Sequence, residues 1–198
     1  LCDRRQRQMC IRDSTNDSDI YACGDNVEIK NLLTGRCGAG GNAETAVKQA
    51  RVAADNLAGK GARFTEVVGT SILKCMNLTI AGAGLNEKTL KVEGLAYRKV
   101  HLFQNNHASY LPDVEKLLFK LLFSPGGKIL GIQGIGKAGI DKRIDITTAI
   151  MRASGGYEEM INAEIAYAPP FSGAKDIINN LGSLAAVSYT HLTLPTIA

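Results

Sequence analysis

A glycine-rich turn between two apolar runs limits the folds that this chain can adopt more than any other feature. Lys116–Phe123 and Lys128–Ile135 both have strand-like patterns, and the turn Pro125–Gly127 stands between them. So short a connection makes a hairpin, in which the two strands are antiparallel. Other strand patterns cluster before this hairpin and the longer helical patterns follow it, an order typical of α+β domains. We therefore predict an antiparallel sheet with flanking helices. The other predicted strands are Ser71–Cys75, Leu78–Ala83 and Tyr97–Phe103, and the predicted helices are Asn86–Glu93, Ile140–Arg152 and Gly173–Ala185.

The segment ahead of the sheet predicts a strand, a loop and a helix. A short buried strand at Asp19–Cys23 ends in a Gly-Asp pair, and Glu28–Gly41 is expected to be a loop. Asn42 stands where its side chain would cap a helix, and Gly59 would close that helix. Apolar residues recur between them at the i, i+3, i+4, i+7 spacing of one helix face. These apolar positions are Ala43, Ala46, Val47, Ala50, Ala53, Ala54 and Leu57.

The two ends of the chain can be encoded by opposite strands of one DNA segment. One codon choice for Arg4–Ser14 has a reverse complement that translates as Val187–Thr196. The segment resembles a transposon-end adapter used in sequencing libraries; the alternative is a basic arm and an apolar tail that match by chance. Sequence of foreign origin is excluded from fold reasoning. We expect residues 1–14 and 187–198 to be foreign, residues 15–60 to be a piece of one domain, and residues 61–186 to form a second domain.

Setting the ends aside removes the apparent basicity of the chain. The whole sequence has 23 basic and 19 acidic residues. Four arginines and two aspartates lie in residues 1–14, so 19 basic and 17 acidic residues remain. That balance gives no support for a nucleic-acid partner. No apolar run approaches the roughly 20 residues of a membrane span, so no membrane association is expected.

Three cysteines remain between the ends, with no CxxC pair and no metal-type spacing. This pattern indicates a reduced, cytoplasmic protein rather than a disulfide scaffold. We expect Cys23 and Cys75 to be small buried packing residues, and Cys37 to lie in a loop. His101 and His107 likewise have no partner at metal-ligand spacing, so no metal site is predicted.

Four stretches of the chain, taken in order, resemble one enzyme family. They are SDIYACGD at Ser18–Asp25, QARVAADNLAG at Gln49–Gly59, the run Gly69–Ile150, and AYAPPFSGAKDIINNLG at Ala166–Gly182. Their order and coverage resemble the carboxyl-terminal portion of FAD-dependent pyridine nucleotide–disulfide oxidoreductases, in the coenzyme A-disulfide reductase/NADH oxidase group. The resemblance implies that the sheet is a reductase dimerisation domain, preceded by a strand–helix remnant of an FAD-binding domain.

The resemblance also implies which residues bind FAD. Gly24 and Asp25 match a stretch in which glycine lets the backbone approach the cofactor and aspartate accepts a hydrogen bond from a ribityl hydroxyl. Ala43 matches the amino end of a helix that faces the flavin, where unpaired N–H groups favour negative charge. Lys175 matches a residue that reaches the FAD of the partner subunit. The chain departs from the family at Val47, where a polar residue is usual.

Two tyrosines are implied to serve the active site of the partner subunit. Tyr110 and Tyr167 match a pair placed beside a reactive cysteine absent from this chain, and a phenol can donate a proton or hydrogen bond to a thiolate. The parent would be a homodimer that passes electrons from NAD(P)H through FAD to a small disulfide of the coenzyme A type, or to a related persulfide. The alternatives are a fragment of an NADH oxidase or peroxidase, a catalytically inert dimerisation module and, for the tyrosines, ordinary packing.

Two other features have simpler explanations. Gly131–Lys137 satisfies the pattern GxxxxGK, but Ala138 stands where a P-loop has the Ser or Thr that binds magnesium. The same segment is one arm of the predicted hairpin, whereas a P-loop follows a buried parallel strand. Lys142, Arg143 and Asp145 are expected to cap a helix and to pair along its face, and the sequence gives no support for a role in gripping a ligand phosphate.

Overall fold

The computed structural model of the protein describes residues 19–39 and 41–190. The predicted foreign residues 1–14 lie outside the described part, as do residues 191–198. Residues 187–190, also predicted to be foreign, continue the last helix of the chain. No helix in the described part is long and apolar enough to span a membrane.

The chain consists of two compact units, and the division falls after Gly69 rather than after residue 60 as predicted. The backbone explains this difference. The Val67 N–H donates to the Lys30 carbonyl at 3.0 Å, and the Leu32 N–H donates to the Val67 carbonyl at 2.8 Å. The segment that follows the first long helix therefore pairs with the first unit and belongs to it.

The described part of the first unit contains four elements. They are a 3-10 turn at Gly24–Asn26, strand β1 (Glu28–Lys30), strand β2 (Cys37–Ala39) and helix α1 (Ala43–Leu57). Strands β1 and β2 form an antiparallel pair, so the prediction of a loop throughout Glu28–Gly41 is wrong. The strand predicted at Asp19–Cys23 is also wrong. A strand needs a ladder of backbone pairs, and only Tyr21 takes up a β-bridge in that segment.

Helix α1 begins and ends as predicted, but it buries a different face. Asn42 Oδ1 accepts from the Thr45 N–H at 3.0 Å, and Gly59, just beyond the helix, has a φ of 76°. The buried side chains are Thr45 and Gln49, whereas Val47 is 70% exposed. Both buried side chains form hydrogen bonds inside the first unit, which offsets the cost of removing polar groups from water.

As far as residue 190, the second unit is a five-stranded antiparallel sheet with four helices, so the predicted α+β fold is confirmed. The strands are β3 (Thr70–Cys75), β4 (Leu78–Gly84), β5 (Arg98–Asn105), β6 (Lys116–Phe123) and β7 (Ile129–Gly136), and the helices are α2 (Glu87–Val92), α3 (Ile140–Arg152), α4 (Tyr157–Asn162) and α5 (Ile177–Thr190). The strand order is β3-β4-β7-β6-β5. Helix α3 packs on β4 and β7, and α5 packs on β5 and α4. Helix α4 was not predicted.

The β6–β7 hairpin forms as predicted. The Ser124 N–H donates to the Lys128 carbonyl at 2.8 Å, and the Gly127 N–H donates to the Ser124 carbonyl at 2.9 Å. Gly127 has a φ of 85°, in the left-handed region that glycine tolerates best. A Cβ at this position would also lie 2.8 Å from the Tyr157 ring. The turn therefore needs glycine both for its backbone and for space.

The two faces of the sheet differ in what covers them. Leu117, Phe119 and Leu121 are fully buried on the face that α5 covers. Gln104 lies opposite Leu117 in the register, and its Oε1 accepts from Asn180 Nδ2 of α5 at 2.7 Å. The opposite face carries an apolar row that crosses all five strands in register, which we call the cross-sheet row. Its members are Leu73, Ile80, Ile135, Leu118 and Phe103.

The three cysteines of the described part lie at the surface as free thiols. The predicted burial of Cys23 and Cys75 is therefore wrong. Cys75 ends β3, an edge strand whose last five side chains are all exposed. Cys23 precedes the 3-10 turn and lies in no strand, so no neighbouring strand covers it.

Candidate functional site

Two loops of the second unit carry the predicted catalytic tyrosines, and a backbone hydrogen bond joins them. Tyr110 lies in the connection between β5 and β6, and Tyr167 lies in the connection between α4 and α5. The Ala108 N–H donates to the Pro169 carbonyl at 3.1 Å. Both tyrosine side chains face water, with exposed fractions of 75% for Tyr110 and 54% for Tyr167. Neither tyrosine is packed into the core, so both phenol groups are accessible to a reactant or a second subunit.

The first tyrosine loop is closed at its base by two hydrogen bonds. The Asn106 N–H donates to the Glu115 carbonyl at 2.8 Å, and Asn106 Oδ1 accepts from the Glu115 N–H at 3.0 Å. Asn106 is buried, which keeps this double link out of water. Lys137 forms a salt bridge with the Glu115 carboxylate at the same end of the sheet. Both ends of the loop between Asn106 and Glu115 are consequently fixed.

The second tyrosine loop is tied to helix α3 through its backbone. Lys142 Nζ donates to the Phe171 carbonyl at 3.1 Å. Partial burial lowers the pKa of Lys142, and the neighbouring Arg143 guanidinium adds to that effect. Inside the loop, the Phe171 and Ser172 N–H groups both donate to the Ala168 carbonyl, at 2.9 Å and 3.3 Å. The loop is therefore folded on itself immediately after Tyr167.

A buried ion pair lies beneath both loops. Arg143 Nε and Nη2 donate to the two carboxylate oxygens of Asp176 at 3.1 Å and 2.8 Å, and both side chains are nearly inaccessible to water. Arg143 also donates to the carbonyls of Gly139 and Asn106, at 2.8 Å and 3.1 Å. The sequence-based expectation that Arg143 pairs along the face of its own helix is wrong. Its burial also removes it from any contact with a ligand phosphate.

Sequence reasoning missed this ion pair, although a signal was present. The buried side chains of α3 are Ile140, Arg143, Ile144, Thr147 and Met151. Arg143 thus lies at helical spacing on the apolar face, where a charged side chain requires a partner. That position, rather than the run of neighbouring charges, was the informative feature.

Lys175 is exposed and makes local contacts at the start of α5. Its Nζ donates to Ser183 Oγ at 2.9 Å. Its backbone carbonyl accepts from Gln104 Nε2 at 3.3 Å, which fixes the main chain against the sheet. The ammonium group remains accessible because the residue lies at the surface. The structure therefore brings Lys175 to the loop that also carries Tyr167.

The predicted FAD-binding residues Gly24 and Asp25 lie in the first unit, in the 3-10 turn. Gly24 has a φ of 83°, and its N–H donates to Gln49 Oε1 at 2.9 Å. A Cβ on Gly24 would lie 3.9 Å from the Ala46 Cβ, so this turn runs beside the first half of α1. The Asp25 side chain is exposed. Gln49, which the sequence analysis did not single out, therefore anchors the turn to the helix.

Ala43, the remaining predicted cofactor residue, is the first residue of α1 and is exposed. The first bond donated within this helix runs from the Ala46 N–H to the Asn42 carbonyl, and Asn42 Oδ1 accepts from the Thr45 N–H. The N–H groups of Ala43 and Glu44 precede both bonds, and such groups favour an anionic ligand. The Glu44 carboxylate in the first turn opposes this preference in part.

These features fit the flavin cofactor that the resemblance implies. An exposed carboxylate follows a glycine in the left-handed region, and a helix amino terminus lies beside the same turn. The amide nitrogen Nε2 of Gln49 is buried and has no hydrogen-bond partner within the described residues. A buried amide donor without an acceptor is uncommon in folded proteins, and one beside a proposed ligand turn is consistent with a polar ligand there.

The P-loop-like segment has a packing explanation. It lies in β7, which pairs antiparallel with both β4 and β6. A Cβ on Gly134 would lie 2.5 Å from the Phe119 ring, and one on Gly136 would lie 2.2 Å from a Leu117 methyl group. The glycines therefore make room for core side chains. Among the described residues, no group of three or more His, Cys, Asp or Glu side chains could hold a metal ion.

Comparison with known proteins gives one consistent result. Residues 70–177 match the dimerisation domain of the pyridine nucleotide-disulphide oxidoreductases. The coenzyme A disulfide reductase of Staphylococcus haemolyticus is 34% identical over 173 residues, which cover 85% of this chain and 38% of that protein. The NADH oxidase of Methanocaldococcus jannaschii is 31% identical over 158 residues, 80% of this chain and 35% of that protein.

A solved structure gives the same match in three dimensions. The NAD-dependent persulfide reductase from A. fulgidus superposes with a TM-score of 0.90 at 34% sequence identity. The superposition covers 92% of this chain and 34% of that one. The chain thus spans little more than a third of the length of the relatives that it matches.

Proposed function

The chain belongs to the pyridine nucleotide-disulphide oxidoreductase family by its dimerisation domain, and on that premise we propose that it is a portion of an FAD-dependent NAD(P)H:disulfide oxidoreductase. The proposed electron acceptor is a small disulfide of the coenzyme A type or a related persulfide. The second unit would act in a homodimer and supply residues to the active site of the partner subunit. The first unit would contribute to FAD binding.

One observation carries the catalytic part of this proposal, namely the joined loops with their two exposed tyrosines. The hydrogen bond from Ala108 to Pro169 holds the loops of Tyr110 and Tyr167 side by side. Because more than half of each tyrosine residue is exposed, packing inside this chain does not explain the choice of tyrosine at either position. A pair of neutral hydroxyl donors on one surface suits a substrate or cysteine sulfur that becomes negatively charged.

In the proposed reaction, an FAD held by this enzyme would supply the redox chemistry between NAD(P)H and a disulfide. The remaining steps of the proposed reaction depend on residues of this chain. The Tyr110 and Tyr167 hydroxyls donate hydrogen bonds, or a proton, to a sulfur of the partner subunit's active site as that sulfur becomes a thiolate. A phenol is neutral at pH 7, so it can serve an incoming disulfide without placing a charge in the site.

Four residues of this chain are proposed to hold the cofactor. Asp25 would accept a hydrogen bond from a ribityl hydroxyl, and Gly24 lets the backbone approach closely because it lacks a side chain. The Ala43 N–H, at the positive end of α1, would favour the negatively charged edge of the flavin. Lys175 would leave its contact with Ser183 Oγ and reach the FAD of the partner subunit.

The electron acceptor is tested in the complete enzyme. Steady-state rates would be compared for coenzyme A disulfide, a coenzyme A persulfide, oxygen and hydrogen peroxide, each with NADH and with NADPH. We expect the disulfide or the persulfide to give the largest kcat/KM. A larger kcat/KM for oxygen or peroxide would replace this proposal with the oxidase or peroxidase alternative, which the similarity to an NADH oxidase also supports.

Purification of the 198-residue chain alone would test which roles, among FAD binding, reductase activity and dimerisation, it can perform without the rest of the enzyme. We expect it to purify without FAD and without reductase activity, because it holds only some of the proposed cofactor residues and lacks the reactive cysteine. It should nevertheless dimerise, since the cross-sheet row leaves apolar side chains uncovered at Leu73 and Phe103. Light scattering that shows a stable monomer at micromolar concentration would contradict the proposed dimer.

The free surface thiols favour a reducing cytoplasm as the working compartment.

A further inference from the structure

We propose that the buried Arg143–Asp176 ion pair is a positioning device that fixes the two tyrosine loops relative to each other. This inference rests on the function proposed above and adds the residues that hold Tyr110 and Tyr167 in place. Neither Arg143 nor Asp176 can touch a reactant, since both side chains are almost completely buried. Their role is therefore indirect and acts through the backbone of the loops.

The guanidinium of Arg143 connects three separate segments of the chain. It donates to the Asn106 carbonyl, where the loop of Tyr110 begins, and to the Asp176 carboxylate, where the loop of Tyr167 ends. It also donates to the Gly139 carbonyl at the start of α3. A Cβ on Gly139 would lie 2.6 Å from Arg143 Nη1, so the guanidinium fits closely against this backbone.

The carboxylate of Asp176 is fixed as firmly as the guanidinium. Asp176 Oδ1 accepts from the Ile178 N–H at 3.0 Å as well as from Arg143 Nε at 3.1 Å. The first contact fixes the carboxylate to the start of α5, and the second fixes it to α3. The end of the Tyr167 loop, the start of the Tyr110 loop and two helices are thereby held by one pair of side chains.

The charges of the Arg143–Asp176 pair are better suited to orienting the two loops than to stabilising the fold. Burying an ion pair removes two charges from water, and apolar side chains of similar volume often stabilise a fold equally well. A guanidinium and a carboxylate, however, meet through a planar fork that allows one relative orientation. That property matters at the base of two loops whose hydroxyls must act on one sulfur, because a displacement of about 1 Å can lower a rate about a hundredfold.

The test uses the complete enzyme with Arg143→Lys, which keeps the positive charge and loses the fork, and with Asp176→Asn as a second, nearly isosteric variant. Asp145→Asn, the same kind of change at an exposed position of the same helix, is the matched control. Stopped-flow absorbance would follow flavin reduction by NAD(P)H and flavin reoxidation by the disulfide separately. We expect reoxidation to slow by about tenfold or more in Arg143→Lys and Asp176→Asn, with flavin content and reduction unchanged. The control should match the wild type.

An enzyme that lacks both tyrosine hydroxyls allows a loss of loop positioning to be distinguished from a general loss of stability. In an enzyme with both Tyr110→Phe and Tyr167→Phe, Arg143→Lys should slow reoxidation no further, because no hydroxyl remains to be positioned. Equal losses with and without the hydroxyls would overturn the inference, as would an unchanged reoxidation rate in both variants. If the double tyrosine change alone left reoxidation unaffected, the proposed role of the tyrosines would fail instead, so the two failures are distinguishable.

Discussion

The change Tyr167→Phe in the complete enzyme separates chemistry from packing. Phenylalanine keeps the ring of Tyr167 and removes only its hydroxyl. Because the side chain is 54% exposed, the loss of the hydroxyl should alter the free energy of unfolding by less than about 0.5 kcal/mol. The loop should keep its shape, because its internal hydrogen bonds and its link to Ala108 use backbone atoms only.

The expected kinetic effect is much larger than the effect on stability. Proton transfer from a positioned side chain typically contributes about 10²–10⁴-fold to a rate. Tyr110 lies on the joined loop and can supply part of the same function, so a single change should cost less than the full amount. We therefore expect disulfide reduction to fall by roughly tenfold or more, which is about 1.4 kcal/mol or more of transition-state stabilisation. Flavin reduction by NAD(P)H should stay within about twofold, because the hydroxyl takes no part in it.

Stopped-flow measurement of the two half-reactions is the assay, with the melting temperature measured alongside. The double change Tyr110→Phe plus Tyr167→Phe should cost less than the product of the two single losses if the hydroxyls act as a unit. Disulfide turnover within about twofold of the wild type, together with a lower melting temperature, would refute the reasoning. Tyr167 would then be a packing residue at a subunit interface.

Three further predictions concern binding, packing and pH. Asp25→Ala in the complete enzyme should weaken FAD binding by roughly 1.5–3 kcal/mol, the value of one hydrogen bond to a charged group; an unchanged flavin dissociation constant would remove Asp25 from the site. Gly134→Ala should destabilise the 198-residue chain by about 1–3 kcal/mol in urea unfolding, because its Cβ would meet the buried Phe119 ring at 2.5 Å. Gly126→Ala, where the nearest atom is 3.9 Å away, is the matched control, and equal midpoints would contradict this packing argument. Hydrogen bonds from two lysines and a tyrosine lower the pKa of Glu87 from 4.5 to about 2, so its contribution to stability is complete above pH 4.5 and is lost as the pH falls towards 2. Glu87→Gln should flatten this part of the curve of melting temperature against pH, and an unchanged acid slope would show that the carboxylate does not contribute.

Sequence patterns predicted the second unit well because its elements have strong local signals. The hairpin between β6 and β7 has a proline and two glycines at its turn, and α3 has an apolar face that spans its whole length. By contrast, β2 consists of Cys37, Gly38 and Ala39, none of which favours a strand strongly. Helix α4 has only six residues and follows Gly156, which has no side chain to cap it, whereas the equally short α2 follows the capping residue Asn86. These elements depend on their neighbours rather than on their own sequence.

The candidate site was predicted less completely than the fold, because its supporting contacts are made between distant segments. The resemblance indicated Tyr110 and Tyr167, but the contact between their loops involves backbone atoms of Ala108 and Pro169, which carry no side-chain signal. The burial of Gln49 depends on a turn that lies 25 residues earlier in the chain. A helical pattern cannot reveal such a partner, since it records only which residues share a face.

The strand order of the second unit has a consequence for how the chain folds. Strands β3 and β4 form one local hairpin and β5, β6 and β7 form a local meander, whereas β4 and β7 are neighbours that stand far apart in the sequence. Closing a long loop costs more conformational entropy than closing a hairpin, and contacts between distant residues slow folding. The two local pieces should therefore form early, and the junction between β4 and β7 should form late. Pulsed hydrogen exchange should detect this order as amide protection that develops in β6 before it develops in β4. A misfolded or aggregating chain would then expose the unpaired edges of β4 and β7. A chaperone or a low refolding temperature would therefore help most at the junction between these two strands.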